Sequence, residues 1–95
     1  MYVRVTTGGF DPAKEQELQR LIDEKFIPLL QQLPGLHRYL SGIDRAAGRF
    51  VSITIWDSLD HAQAFPAAIA DLLGEFTAAS LRPEPTQLFE VTREV

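Results

Sequence analysis

The chain contains no cysteine, which removes disulfides, thiolate nucleophiles and cysteine-ligated metals in one step and fits a reducing compartment. A cytoplasmic location is the resulting expectation. Histidine is scarce too: His37 and His61 stand alone, and the scattered carboxylates give them no metal-ligand spacing, so no metal site is expected. No stretch approaches the ~18 apolar residues of a membrane span, and Met1-Tyr2-Val3-Arg4-Val5-Thr6 is no basic region leading into a long apolar run. Neither secretion nor membrane insertion is expected. Positive charge is thin and unclustered, with nine Lys and Arg against thirteen Asp and Glu and a net charge of -4, which argues against a nucleic-acid partner. Gly8-Gly9 is too short a glycine run for a phosphate loop. Ser41, Ser52 and Ser58 lack the Gly-x-Ser-x-Gly setting of an acyl-transfer nucleophile.

What is present reads as one globular domain spanning residues 1–95, since 45% hydrophobic and 23% charged residues rule out disorder and a fibrous repeat. Tyr2 to Thr7 alternates and is rich in β-branched residues, giving a first strand that Gly8-Gly9 is expected to end. Asp11 can cap a helix, and Pro12 suits its first position because the missing N–H has no partner there anyway. From Leu18 the apolar residues Leu21, Ile22, Phe26, Leu29, Leu30 and Leu33 recur at helical spacing. Pro28 lies inside this pattern and removes a hydrogen bond to the Glu24 carbonyl, which predicts a bend. Leu36–Ile43 and Arg49–Trp56 are strand-like runs around Asp44-Arg45-Ala46-Ala47-Gly48, a hairpin. Ser58 can cap a second helix carrying Ala62, Phe65, Ile69, Leu72, Leu73 and Phe76, which Pro66 is expected to split or bend. Ser80–Pro85 reads as a connection and Thr86–Thr92 as a last strand. The order β-α-β-β-α-β predicts an α+β fold of ferredoxin-like type, with an antiparallel sheet and both helices on one face. Two helices cannot cover both faces of such a sheet, so a partner copy is expected.

Pairing Asp44 with Arg49 sets Ile43 opposite Phe50, Ser41 opposite Ser52, Tyr39 opposite Thr54 and His37 opposite Trp56. These residues share one face, whereas Leu36, Leu40, Val51, Ile53 and Ile55 share the other with Arg38 and Gly42. An aliphatic face suits close packing; a face mixing Trp, Tyr, His and hydroxyls suits a pocket. Trp56 has two readings: a platform for a planar ligand, or a core tryptophan under the helix. His37 with Tyr39 could pass a proton at neutral pH, although a lone histidine at a strand start is commonly a surface residue. His61, in the first turn of the second helix, reads as a solvated side chain.

Pro34-Gly35-Leu36, Tyr39, the Asp44–Gly48 turn and Trp56-Asp57-Ser58 opening a helix resemble the antibiotic biosynthesis monooxygenase group of dimeric α/β-barrel proteins. The resemblance spans nearly the whole chain and implies a protomer whose sheet packs on that of a second copy to form a barrel, with a pocket in each protomer between sheet and helices. It implies a cofactor-independent monooxygenase of small aromatic or phenolic substrates; on the reading of the mixed face as the pocket, His37, Tyr39 or Arg4 would assist deprotonation and Trp56, Thr54, Ser52, Phe50, Ser41 and Arg4 would bind the substrate. No cofactor is implied. The alternative is a non-catalytic ligand-binding or stress-associated dimer; isomerisation or lactone chemistry would need His37 as its proton shuttle. Heme-degrading members carry an Asn, a Trp and a His, of which only Trp56 is matched, because the chain has no asparagine. The Glu and His that often flank the Trp are Thr54 and Phe65 here.

Overall fold

The computed structural model describes residues 1–95. Strand β1 spans Tyr2–Gly9 and does not stop at the glycines. Gly8 pairs with Phe50 on one side and Pro83 on the other, and a Cβ there would lie 2.2 Å from the Arg82 carbonyl oxygen. The strand continues because its neighbours approach closer than any side chain permits.

Asp11 caps as expected, its Oδ1 accepting from the Ala13 N–H at 2.9 Å, and Pro12 opens a 3-10 turn, Pro12–Lys14. Helix α1 (Glu15–Leu21) leads into a π turn, Ile22–Phe26, and then α2 (Ile27–Leu30). The bend expected at Pro28 is thus taken up one turn earlier: the Ile27 N–H reaches the Ile22 carbonyl, five residues back, so the helix changes register before it meets the residue that cannot donate. Strands β2 (Leu36–Asp44) and β3 (Arg49–Trp56) form the hairpin. Helix α3 (Leu59–Ala68) starts on Ser58, whose Oγ accepts from the His61 N–H. Pro66 lies within α3; the interruption falls at Ile69, followed by a 3-10 turn, Ala70–Leu72, and α4 (Leu73–Ala78). The expected connection contains a two-residue strand, β4 (Arg82–Pro83), paired with Gly8 and Gly9, and β5 is limited to Gln87–Glu90.

The strands lie in the order β2-β3-β1, with β4 and β5 end to end along the far edge of β1, β4 against Gly8–Gly9 and β5 against Tyr2–Val5. Every pairing is antiparallel, as a ferredoxin-like α+β domain requires. Of the expected cross-strand pairs, Tyr39–Thr54, Ser41–Ser52, Ile43–Phe50 and Asp44–Arg49 are present. His37–Trp56 is not. The register shifts between Leu36, which faces Trp56, and Arg38, which faces Ile55, so His37 is the extra residue of a β-bulge.

All helices pack on one sheet face. The core between the layers includes Leu18, Phe26 and Leu30 from the first helical stretch, Ala62, Phe65 and Phe76 from the second, and Phe50 and Trp56 from β3. The register puts Val3, Val5, Leu40, Val51, Ile53, Ile55 and Phe89 on the opposite face, where this chain supplies no cover. Leu40 and Phe89 are 42% and 49% exposed there. No helix is long and apolar enough to cross a membrane.

Candidate functional site

Between the sheet and the helices lies a cavity of about 760 Å³. Its sheet side is built by alternation: Arg4 and Thr6 from β1, Tyr39, Ser41 and Ile43 from β2, and Phe50 and Ser52 from β3. Its helical side is apolar and aromatic, with Leu18, Ile22 and Phe26 from the first helical stretch and Phe65, Ile69 and Phe76 from the second. The volume and the mostly apolar lining with a few polar groups match a site for a drug-sized molecule. A second concavity, about 510 Å³, lies between Gly9–Lys14 and Thr77–Arg82 and is lined mainly by small and polar residues. No three His, Asp or Glu side chains converge to hold a metal ion.

Phe26 organises the aromatic wall. Its ring centroid lies 5.5 Å from that of Tyr39 and 5.4 Å from that of Phe76, both edge-on, and 6.2 Å from that of Phe65. Burial pushes the Tyr39 phenol above its usual pKa, an effect partly offset by hydrogen bonding with the Ser41 and Ser52 hydroxyls. Tyr39 is therefore a neutral phenol at neutral pH, with an O–H available to donate.

Arg4 is the half-buried cation of the site. Pro66 has no N–H to give the Ala62 carbonyl four residues before it, and Arg4 Nη1 supplies a donor to that oxygen at 3.4 Å. The guanidinium carbon sits 5.8 Å from the Phe65 ring centroid, within cation–π range. Burial draws the Arg4 pKa below its usual value, yet a guanidinium stays charged.

The other charges on the lining are engaged elsewhere. Arg45 forms a two-pronged pair with Glu15, at 2.6 and 2.9 Å. Glu84 is held by Arg49 at 2.8 and 2.9 Å and by the Thr7 hydroxyl at 2.9 Å, and Arg49 brings its pKa down to about 2. A carboxylate so stabilised is a poor base near neutral pH.

Of the residues singled out in the sequence, Arg4, Tyr39, Ser41, Phe50 and Ser52 meet on the cavity. Trp56 and Thr54 do not line it. Trp56 is 1% exposed and packs against Phe65 at 5.1 Å, and its indole N–H is taken by Thr54 Oγ1 at 2.9 Å. Of its two readings, the core tryptophan is the one observed. His37 is off the cavity because the bulge turns it away; it is exposed, with Nε2 3.5 Å from Glu94 Oε1. His61 is not solvated as expected: its ring packs over Gly35, and Nδ1 lies 3.1 Å from the Ser58 hydroxyl. The aromatic helical residues Phe26, Phe65 and Phe76 were legible as packing positions, but not as a cavity wall, since spacing reports which side faces the sheet and not where the packing leaves a gap.

No protein-family model matches the sequence, and no curated protein matches it. Solved structures do. The monooxygenase ActVA-Orf6 of Streptomyces coelicolor, determined with nanaomycin D, superposes with a TM-score of 0.80 at 18% identity, covering 99% of this chain and 89% of that one. SnoaB, a cofactor-independent oxygenase from Streptomyces nogalater, gives 0.68 at 21% identity over 99% and 95% of the two chains. The chain has the antibiotic biosynthesis monooxygenase fold. At these identities the likeness is one of fold, and the same fold is found in NE2512 of Nitrosomonas europaea, a protein of unknown function, at a TM-score of 0.80 and 15% identity over 99% and 91% of the chains. The monooxygenase fold therefore supplies the frame, and the cavity's own residues must supply the chemistry.

Proposed function

We propose that this protein is a cofactor-independent monooxygenase of small aromatic or phenolic substrates, bound in the cavity between sheet and helices. The observation that carries the reading is the aromatic cavity lined by Phe26, Phe65 and Phe76 against Tyr39, Ser41 and Ser52, a slot for a planar ring with oxygen substituents. Likeness of fold to oxygenases such as ActVA-Orf6 and SnoaB supports it. In this reading the aromatic wall orients the ring and Tyr39 donates to the oxygen on which negative charge gathers. The electron-rich substrate anion reduces O₂: a ring CH₂ becomes C=O with one oxygen atom, and the second leaves as water with the two hydrogens. Trp56 and Thr54 support the wall from behind, and His37 is assigned no part.

Oxygen uptake on an anthrone-type substrate tests this. Turnover above the buffer rate is expected, with a fall of at least about tenfold in Tyr39→Phe, in line with the loss of one oxyanion donor. No uptake with any anthrone or quinol would refute it. That outcome would favour the second reading, a binding protein without turnover, which has its own support: neither histidine lines the cavity, and Glu84, the carboxylate on its lining, is fixed as a weak base.

The uncovered sheet face supports a homodimer in which Val5, Val51, Ile53 and Ile55 meet their counterparts from a second sheet. Light scattering should give a two-chain mass at micromolar concentration, and Ile53→Lys should lower it to one. A monomeric wild type would refute the dimer.

A further inference from the structure

The cavity holds a charge that nothing in the chain answers. The ion pairs of the fold are Lys25–Glu75, Arg45–Glu15 and Arg49–Glu84, with His37 beside Glu94, and Arg4 is in none of these contacts. A guanidinium carries five N–H donors. One of those on Arg4 meets the Ala62 carbonyl, and its face lies toward the Phe65 ring. Withdrawing a cation from water without a counter-charge is costly, and a fold that needed only a donor for Ala62 could use a neutral amide. The cost is recovered if the counter-charge arrives with a ligand.

We propose that Arg4 makes this cavity selective for planar aromatic acids that enter already ionised, such as hydroxyquinones, acidic phenols and aryl carboxylates. The inference rests on the cavity being the aromatic-binding site, as read above, but not on any reaction taking place there. Three features of the site agree. The Ala62 bond and the Phe65 ring fix the guanidinium in place, so little side-chain freedom remains to be lost when an anion binds. Arg4 and Thr6 lie on the same face of β1 as Ser52 and Tyr39 lie on β3 and β2, so an oxyanion beside Arg4 sits near the sheet while its ring lies toward the phenylalanines. The remaining charges of the lining, Arg45 and Glu84, are each held in a two-pronged pair and leave Arg4 as the unmatched charge of the cavity. With a weak base at Glu84 and a neutral phenol at Tyr39, an acid that enters already ionised asks no proton transfer of the site.

The test compares 2-hydroxy-1,4-naphthoquinone, an anion at neutral pH, with its neutral 2-methoxy analogue, by calorimetry or by quenching of the single tryptophan, at fixed low ionic strength. The wild type should bind the anion at least about tenfold tighter. Arg4→Gln, which keeps an N–H for the Ala62 carbonyl but loses the charge, should bind both within about twofold, while Arg38→Gln, on the opposite sheet face, should keep the full preference. Far-ultraviolet circular dichroism confirms that each variant is folded; if Arg4→Gln is not, Arg4→Lys replaces it and should retain a reduced preference. Equal binding of both compounds by the wild type, or a preference that survives in Arg4→Gln, would overturn the proposal and leave the aromatic cavity standing. Binding of neither would overturn both.

Discussion

Thr54→Val removes one oxygen from the middle of the protein and tests how the core around Trp56 is held. Trp56 and Thr54 are 1% and 2% exposed, and the indole N–H donates to Thr54 Oγ1 at 2.9 Å. Valine keeps the branch and replaces the hydroxyl with a methyl, so packing against Phe65 is conserved while the N–H is left buried without an acceptor. Leaving a buried donor unsatisfied costs about 1–3 kcal/mol, and the added methyl returns up to about 0.8 kcal/mol. A net loss of about 0.2–3 kcal/mol is expected, which in a domain this small lowers the melting temperature by about 4–8 °C for each kcal/mol. The assay is urea denaturation followed by far-ultraviolet circular dichroism at one fixed protein concentration, because association would make stability depend on concentration. A double-mutant cycle with Trp56→Phe completes it: once the indole is gone, the hydroxyl has lost that partner, and the pair should show a coupling of about 1 kcal/mol. A Thr54→Val variant at least as stable as wild type, or a coupling near zero, would refute this account of the core.

Two further outcomes are expected. Gly35→Ala should destabilise by more than about 2 kcal/mol, read as a thermal shift, because Gly35 has φ +81 and a Cβ would lie 2.1 Å from His61 Nδ1, combining left-handed strain with a clash; a Gly35→Ala/His61→Ala pair should recover only the part of the clash that comes from the ring, since the His61 Cβ would still lie 2.8 Å away. Acid should weaken the fold through Glu84: with its folded pKa about 2, below the ordinary 4.5, the carboxylate stabilises fully above 4.5 and loses that contribution as pH falls toward 2. Glu84→Gln should flatten the stability profile in that window, leaving the slope from Glu15, which Arg45 holds down in the same sense; an unchanged profile would show that the Arg49 clamp does not persist in solution.

The hairpin was the most legible part of the fold because two constraints agreed. Alternation along Tyr39–Ile43 and Phe50–Thr54 fixed the faces, and the Asp44–Gly48 turn fixed the register, so Ser41–Ser52 and Ile43–Phe50 followed. The bulge at His37 broke that register without any local signal, since an extra residue in a strand is settled by what the neighbouring strand and the loop from Gly35 require. This is why the histidine expected in the pocket is outside it. Trp56 could be placed on the correct face but not at the correct depth, because alternation does not say how far a helix settles onto the sheet. The Arg4 contact was half visible: Pro66 announces a freed carbonyl at Ala62, but which side chain answers depends on α3 crossing β1. The extra strand β4 was hidden because Arg82 and Pro83 carry no strand pattern; they pair where Gly8 lets them approach.

The position of β1 between β3 and β5 has a consequence for how the chain assembles. Strand β1 precedes its partners in the chain yet is central in the finished sheet, and it has no partner until residues 49–56 are available and is not flanked on both sides until residues 87–90 join it. The first helical stretch, apolar along Leu18, Phe26 and Leu30, must wait with it, since Phe26 packs on Tyr39 of the hairpin and on Phe65 and Phe76 of the later helices. Only the β2–β3 ribbon is local in sequence, so it is the natural place for order to begin, and closing the sheet requires long loops that slow folding. A chain interrupted before Gln87 would leave the Tyr2–Val5 edge of β1 open to pairing with another molecule, an edge that β5 otherwise covers.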